Sequence, residues 1–183
     1  MKARNVFALC AVVLLAASGF AQQNTIVTIF TGYTMTAFDG QASAAGTIPV
    51  AASIGFKAAP ALEIGGEFFY PIGGYQFKVT GFGETITTTF NQMMAGVYGK
   101  YCFGESSMKP FLKAGVADYF GNMKLEMSGS STTGSVKSAI GFNVGGGVQW
   151  ENGLLVGFTY NIVKRDGSGM NTWAAMIGYQ IIK

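Results

Sequence analysis

Four charged side chains stand out because so few charges surround them. Glu63 and Glu67 lie four apart in a stretch where apolar and small residues alternate, and Lys100 and Lys113 lie in two later stretches of the same kind. Successive side chains of an extended strand point to opposite faces, so residues two or four apart share a face. All four then fall on the faces that carry small and polar residues. An unpaired buried charge is expensive, so carboxylates and ammonium groups on a confined inner face must meet one another or water. Glu63, Glu67, Lys100 and Lys113 are therefore expected to form an interior charge cluster, either a plug or gate or a static polar core.

Other chemistry is hard to assemble from this chain. It has no histidine, so a Ser-His or Asp-His base is impossible. Cys102 is expected in a short turn with no group to activate it, as an incidental thiol. Asp39, Asp118, Glu126 and Asp166 are scattered without the spacing of a cation site. Gly145-Gly146-Gly147 has the composition of a phosphate loop, but Val148-Gln149-Trp150 and a turn follow it instead of a helix opening with Gly-Lys-Ser/Thr. No catalytic residue, metal site or cofactor is expected.

The elements that would hold the four charges follow from composition. Charged residues are 11% of the 183, against about 25% in ordinary globular domains, and there are 27 glycines. Residues 1–21 read as a secretory signal peptide, with Lys2 and Arg4 ahead of an apolar run over 6–17 and Gly19-Phe20-Ala21 as the cleavage site. Residues 22–183 then form one domain. Of 12 Lys+Arg and 9 Asp+Glu, losing Lys2 and Arg4 leaves ten against nine, which argues against a nucleic-acid partner.

From Asn24 onward the apolar pattern has period 2. It predicts eight strands, near 24–34, 48–58, 61–70, 85–101, 110–126, 139–150, 154–164 and 171–182. In 140–150, Ile140, Phe142, Val144, Val148 and Trp150 oppose Gly141, Asn143, Gly145, Gly147 and Gln149. If Trp150 and Leu154 are cross-strand partners, Glu151-Asn152-Gly153 is a three-residue hairpin loop with glycine in the left-handed position. Short turns alternate with the longer loops 35–47, 127–138 and 164–170, and 71–84 reads either as a hairpin extension above a membrane or as an extra pair of short strands.

A soluble barrel or sandwich would carry dense charge on its polar face, whereas this polar face is mostly Gly, Ala, Ser, Thr, Asn and Gln. Small residues suit the interior of a narrow eight-stranded barrel. The apolar face, ringed by Tyr33, Tyr70, Tyr101, Trp150, Tyr160, Trp173 and Tyr179, suits lipid. The fold class is an all-β, eight-stranded antiparallel up-and-down transmembrane barrel. Gly145 and Gly147 are expected to leave lumen space for Tyr119 and the lysine and glutamate side chains, with Gly146 facing lipid.

With its signal segment, eight strands, aromatic rings, the stretch "PFLKAGVADYF" and the hairpin "GFNVGGGVQW…LLVGFTYNI", the chain resembles the small outer-membrane β-barrel superfamily, which includes the transmembrane domain of outer-membrane protein A and the opacity-type surface proteins. The resemblance spans about residues 24–183. It implies location in the cell outer membrane among its lipids and insertion by a barrel-assembly machine. It also implies loops that bind surface partners, here 35–47, 71–84, 127–138 and 164–170. Family members usually end on an aromatic residue, while this chain ends on Ile181, Ile182 and Lys183. The expected function is a monomeric, non-catalytic outer-membrane barrel with a structural, surface-interaction or weak pore role. Two alternatives stand beside it: a barrel that conducts or binds hydrophobic solutes, with Phe69, Phe111 and Tyr119 on its inner face, and a secreted soluble β-sandwich that binds a ligand.

Overall fold

The computed structural model describes residues 25–38, 45–81, 84–127, 129–165 and 168–182. The expected signal segment 1–21 lies outside them. Nine strands follow one another: β1 (Thr25–Phe38), β2 (Ala45–Ala59), β3 (Leu62–Ile72), β4 (Tyr75–Gly81), β5 (Glu84–Cys102), β6 (Met108–Met127), β7 (Ser130–Trp150), β8 (Leu154–Arg165) and β9 (Ser168–Ile182). Every pairing is antiparallel, β1 joins β9, and β3 joins β5. That last pair closes the sheet into a ring, which leaves edges only where β4 and residues 130–138 of β7 rise past their neighbours, and excludes the two packed sheets of a sandwich.

The ninth strand corrects the expected count of eight. β3 and β4 both run antiparallel to β5, with Phe69 opposite Met94 and Tyr75 opposite Phe90. Six steps along β3–β4 thus match four along β5. The surplus is taken up at Pro71–Gly74, where Gly73 and Gly74 adopt φ of 74° and 71°, a conformation that glycine alone enters without strain. The circuit of the ring still passes through eight strands, with β4 continuing the path of β3. Of the two readings of 71–84, the structure takes the hairpin extension, β4 paired with the first half of β5.

The expected loop at 127–138 is also corrected. β7 begins at Ser130 and pairs with β6 as far out as Met127. The segment "SSTTGSVKS" is polar on both faces, so hydrophobic alternation stops near Ala139 while the backbone ladder continues. A bulge lies between: Tyr119 opposes Ala139 but Gly121 opposes Val136, so β7 spends one extra residue and its faces exchange. At the other two sites the strands also run further than expected, leaving 39–44 and 166–167 between them outside the described residues.

The faces follow the sequence pattern. Leu112, Ile140 and Phe142 are 55–61% exposed on the outside, and Tyr33, Tyr70, Tyr101 and Tyr179 are exposed outward as well. Asn143, Thr34 and Thr36 are buried on the inside. The three-residue loop forms as the phase requires: Gln149 opposes Leu155, Gly153 N–H donates to the Trp150 carbonyl at 3.0 Å, and Gly153 has φ of 89°.

Gly145 and Gly147 are constrained by a neighbour other than the expected one. A Cβ on either would collide with a carbonyl oxygen of β8, that of Phe158 or Val156, and one on Gly147 would also lie 2.9 Å from the Phe111 ring. Tyr119 instead packs against Gly141, 2.9 Å from where a Cβ would stand. Gly146 faces outward, with the Phe111 carbonyl oxygen 3.0 Å and Leu112 Cδ2 3.2 Å from its Cβ position, wider than the β8 carbonyl contacts of its neighbours.

Candidate functional site: the lumenal charge layer and the raised wall

The lumen has two layers. In the half nearer the short turns, Lys100 lies 2.5 Å from Glu63, both side chains at most 7% exposed, and Lys113 pairs with Glu67, both 9% exposed. The structure thus brings the four sequence-derived residues together as two ion pairs. Glu63 and Lys100 are direct cross-strand partners on β3 and β5. Lys100 and Lys113 are also direct partners, on β5 and β6, an arrangement repulsive by itself. Each lysine turns to a different carboxylate, and Lys113 reaches Glu67 by passing over the Tyr98 ring at 4.7 Å from its centroid.

Neutral groups complete the layer. Tyr98 donates its hydroxyl proton to Glu63 Oε1 at 2.5 Å, and Gln180 Nε2 donates to Glu63 Oε2 at 3.1 Å. Lys100 also donates to Gln149 Oε1 at 3.2 Å, Gln149 donates to Gln180, and Asn143 Nδ2 donates to Glu67 Oε1 at 3.2 Å. Such sharing is what makes a buried ion pair tolerable, because desolvation otherwise offsets the Coulomb attraction. Sequence reasoning passed over Tyr98, Gln180 and Lys57, the last being the cross-strand partner of Glu63. Their inward phase was a usable signal. Their level along the barrel was not, since it depends on strand stagger.

Towards the long-strand end the interior is apolar. Ala51, Phe69, Met94, Phe90, Ala117 and Val163 belong to one buried cluster. Two tyrosines brace it across the barrel: the Tyr75 hydroxyl, from β4, is 3.2 Å from Thr34 Oγ1 on β1, and Tyr119, from β6, donates to Asn161 Oδ1 on β8 at 3.1 Å. Cavities of about 30 and 20 Å³ lie in the lumen, each room for about one water. Packed side chains fill this half. At the opposite, short-turn end a vestibule of about 280 Å³ opens between Lys57, Glu63, Cys102, Lys109, Trp150 and Gln180. Cys102 is half-buried on its wall and free of any disulfide among the described residues.

Beyond the tyrosine braces, β4, β5, β6 and β7 rise past their neighbours as a four-stranded wall. The last β7–β8 partner pair at this end is Gly141 with Val163, so residues 130–138 of β7 stand above it. Strand phase carries on through β4, β5 and β6 and shifts by one residue at the bulge in β7, and the polarity of the faces changes. Below the Asn91–Asn122 pair the outward positions are mostly apolar, as at Val97, Leu112 and Val116, with Asp118 a charged exception. Above it they are Gln76, Lys78, Thr87, Thr89, Lys124 and Glu126, while the inward positions mix Phe77, Val79, Ile86, Met123, Leu125 and Met127 with Glu84, Thr88, Ser130, Thr132 and Gly134.

No protein-family model matches the chain, and no curated protein matches its sequence. Solved structures do match its shape. Neisserial surface protein A (NspA) agrees with a TM-score of 0.61 at 17% identity, over 85% of this chain and 96% of that one. Ail, the attachment invasion locus protein of Yersinia pestis, agrees with a TM-score of 0.54 at 14% identity, over 87% of this chain and 99% of that one. The fold is that of the small outer-membrane β-barrels. At such identities the likeness is one of fold, and the charge layer and raised wall of this small barrel rest on its own residues.

Proposed function

We propose that this chain is an integral outer-membrane protein that acts as a membrane-held surface platform, with neither catalysis nor an open pore. The observation that carries the reading is the distribution of polarity over a closed ring. The ring is apolar outside and filled inside, and at one end it extends into a wall whose outer face is polar. Hydrocarbon requires every backbone group to be paired within the protein, and ring closure through β3 and β5 provides that. NspA is described as a surface protein and Ail as an attachment protein, which fits a surface role. The absence of histidine from the chain removes the commonest general base. Export through the signal segment, insertion by the barrel-assembly machinery and a monomeric state belong to the same proposal.

The ion pairs Glu63–Lys100 and Glu67–Lys113 act in this reading as a plug that also fixes the register of β3, β5 and β6. Passage of hydrophobic solutes through the lumen is disfavoured, because Phe69 and Tyr119 pack into the buried cluster instead of lining a path. The test is membrane fractionation with gel mobility before and after boiling, followed by conductance in planar bilayers. Outer-membrane recovery, a heat-dependent shift and no ion current are expected; recovery in a detergent-free soluble fraction overturns the reading.

A further inference from the structure

Two lysines at the short-turn end stand without a counter-charge. Lys57 and Lys109 lie at inward positions, opposite Glu63 and Gln149 respectively, and both line the vestibule of about 280 Å³. Among the described residues neither pairs with a carboxylate. For Lys57 the cause is visible in its cross-strand partner. Glu63 commits both oxygens elsewhere, Oε1 to the Tyr98 hydroxyl and Oε2 to Lys100 and Gln180. We propose that this vestibule binds a small soluble phosphate-bearing anion, held between Lys57 and Lys109. The site lies at the end opposite the raised wall and goes beyond the surface-platform reading, on which it rests only for a barrel held in lipid.

Three observations select that ligand. The balance of charge is positive: buried Lys100 offsets Glu63, which leaves Lys57 and Lys109 against Glu151 in the exposed turn. The positive field also converges on one place on the wall. Lys57, Lys100 and Lys109 all act on the Cys102 thiol, with Glu63 the one carboxylate among the described residues that opposes them there. An ammonium group is a point charge without the planar fork of a guanidinium, so two of them on separate strands suit an anion with oxygens on several sides. Volume sets the size of the ligand. Pockets for drug-sized molecules run to about 300–1,000 Å³, so this vestibule suits a phosphate group with at most a small body attached. Beyond the Glu63–Lys100 pair the lumen holds cavities of only about 30 and 20 Å³, so the anion binds without passing through.

The experiment uses the full chain in phosphatidylcholine nanodiscs at fixed pH, with Cys102 as a reporter already on the vestibule wall. Its rate of modification by an uncharged methanethiosulfonate is read from the mass of the Cys102 peptide, while inorganic phosphate replaces potassium chloride at constant ionic strength. Phosphate is expected to slow labelling in a saturable way. Combining Lys57→Gln with Lys109→Gln is expected to abolish that protection. It should also lower the ratio of labelling by an anionic reagent to labelling by a cationic one, by about tenfold. Lys57→Arg with Lys109→Arg keeps the protection, and all variants keep the heat-dependent gel shift. Labelling of the parent that phosphate leaves unchanged, protection that survives the double glutamine variant, or a Cys102 that no reagent reaches overturns the proposal. A double glutamine variant that labels faster than the parent with no phosphate added places a lipid headgroup in the vestibule and overturns the soluble ligand. Failure of the parent to show the heat shift overturns the outer-membrane reading instead, so the two failures are distinct.

Discussion

Asn91 and Asn122 face each other across β5 and β6 on the outside of the barrel, with Asn91 Nδ2 donating to Asn122 Oδ1 at 3.1 Å. Their pair marks the level at which the outer surface changes from apolar to polar. Next to it on the lower side stand Met93 and Phe120; on the upper side stand Thr89 and Lys124. An amide in hydrocarbon without a partner costs several kcal/mol by rough estimate, and the mutual hydrogen bond lets two of them sit at the border.

This border predicts the depth of labelled sites. In a Cys102→Ser background, a spin label on Lys124→Cys is expected to respond to a water-soluble relaxation agent, and one on Val144→Cys to oxygen dissolved in lipid. Relaxation measurements on lipid-reconstituted protein check this, and equal exposure of both labels to the water-soluble agent would show that the apolar band does not meet lipid.

Breaking one buried ion pair should be costly. Glu63→Gln removes the negative charge that faces Lys100 and leaves it only neutral acceptors, Gln149 among them, so a loss of about 3–5 kcal/mol is expected for a buried charge without its counter-charge. The double variant Glu63→Gln with Lys100→Met should recover much of that loss. Urea unfolding followed by tryptophan emission in lipid vesicles measures both, and an unchanged midpoint for the single variant would contradict a buried pair.

The triple glycine should respond unequally to substitution. Gly145→Ala and Gly147→Ala each press a methyl group on a β8 carbonyl oxygen, with an expected loss of about 1–3 kcal/mol, while Gly146→Ala should lose less than about 1 kcal/mol. The folded fraction of each variant, read from the heat-dependent gel shift, gives the order. Equal tolerance at the three positions would mean that the strand phase is wrong.

The two tyrosine braces predict the electrical behaviour. The native barrel should carry no measurable current in planar bilayers. Tyr75→Ala together with Tyr119→Ala removes both cross-lumen hydroxyls and the rings that roof the apolar layer, so leak current is expected to appear. Current through the native protein of the same size as through the double variant would show the lumen to be open already.

Much of this architecture is legible in the chain because side-chain direction in a strand is a local property with period 2. Val144 and Phe142 face out, Asn143 faces in, and Gly153 turns the hairpin, all for reasons contained within a few residues. The inward placement of Glu63, Glu67, Lys100 and Lys113 follows from the same local rule.

What the period could not supply was height. Which carboxylate meets which lysine depends on the stagger between strands, which the closing β3–β5 pair helps to set by joining residues 25 to 39 positions apart. The same stagger brings Tyr98, Gln149 and Gln180 to the level of Glu63, and carries Tyr75 across the barrel to Thr34. The β7 edge of the raised wall escaped the sequence reading for a related reason. Its Ser- and Thr-rich segment 130–138 lacks hydrophobic alternation, so it resembles a loop until its neighbour β6 supplies the backbone hydrogen bonds. Local sequence determined which way each side chain points; long-range pairing decided what it meets there.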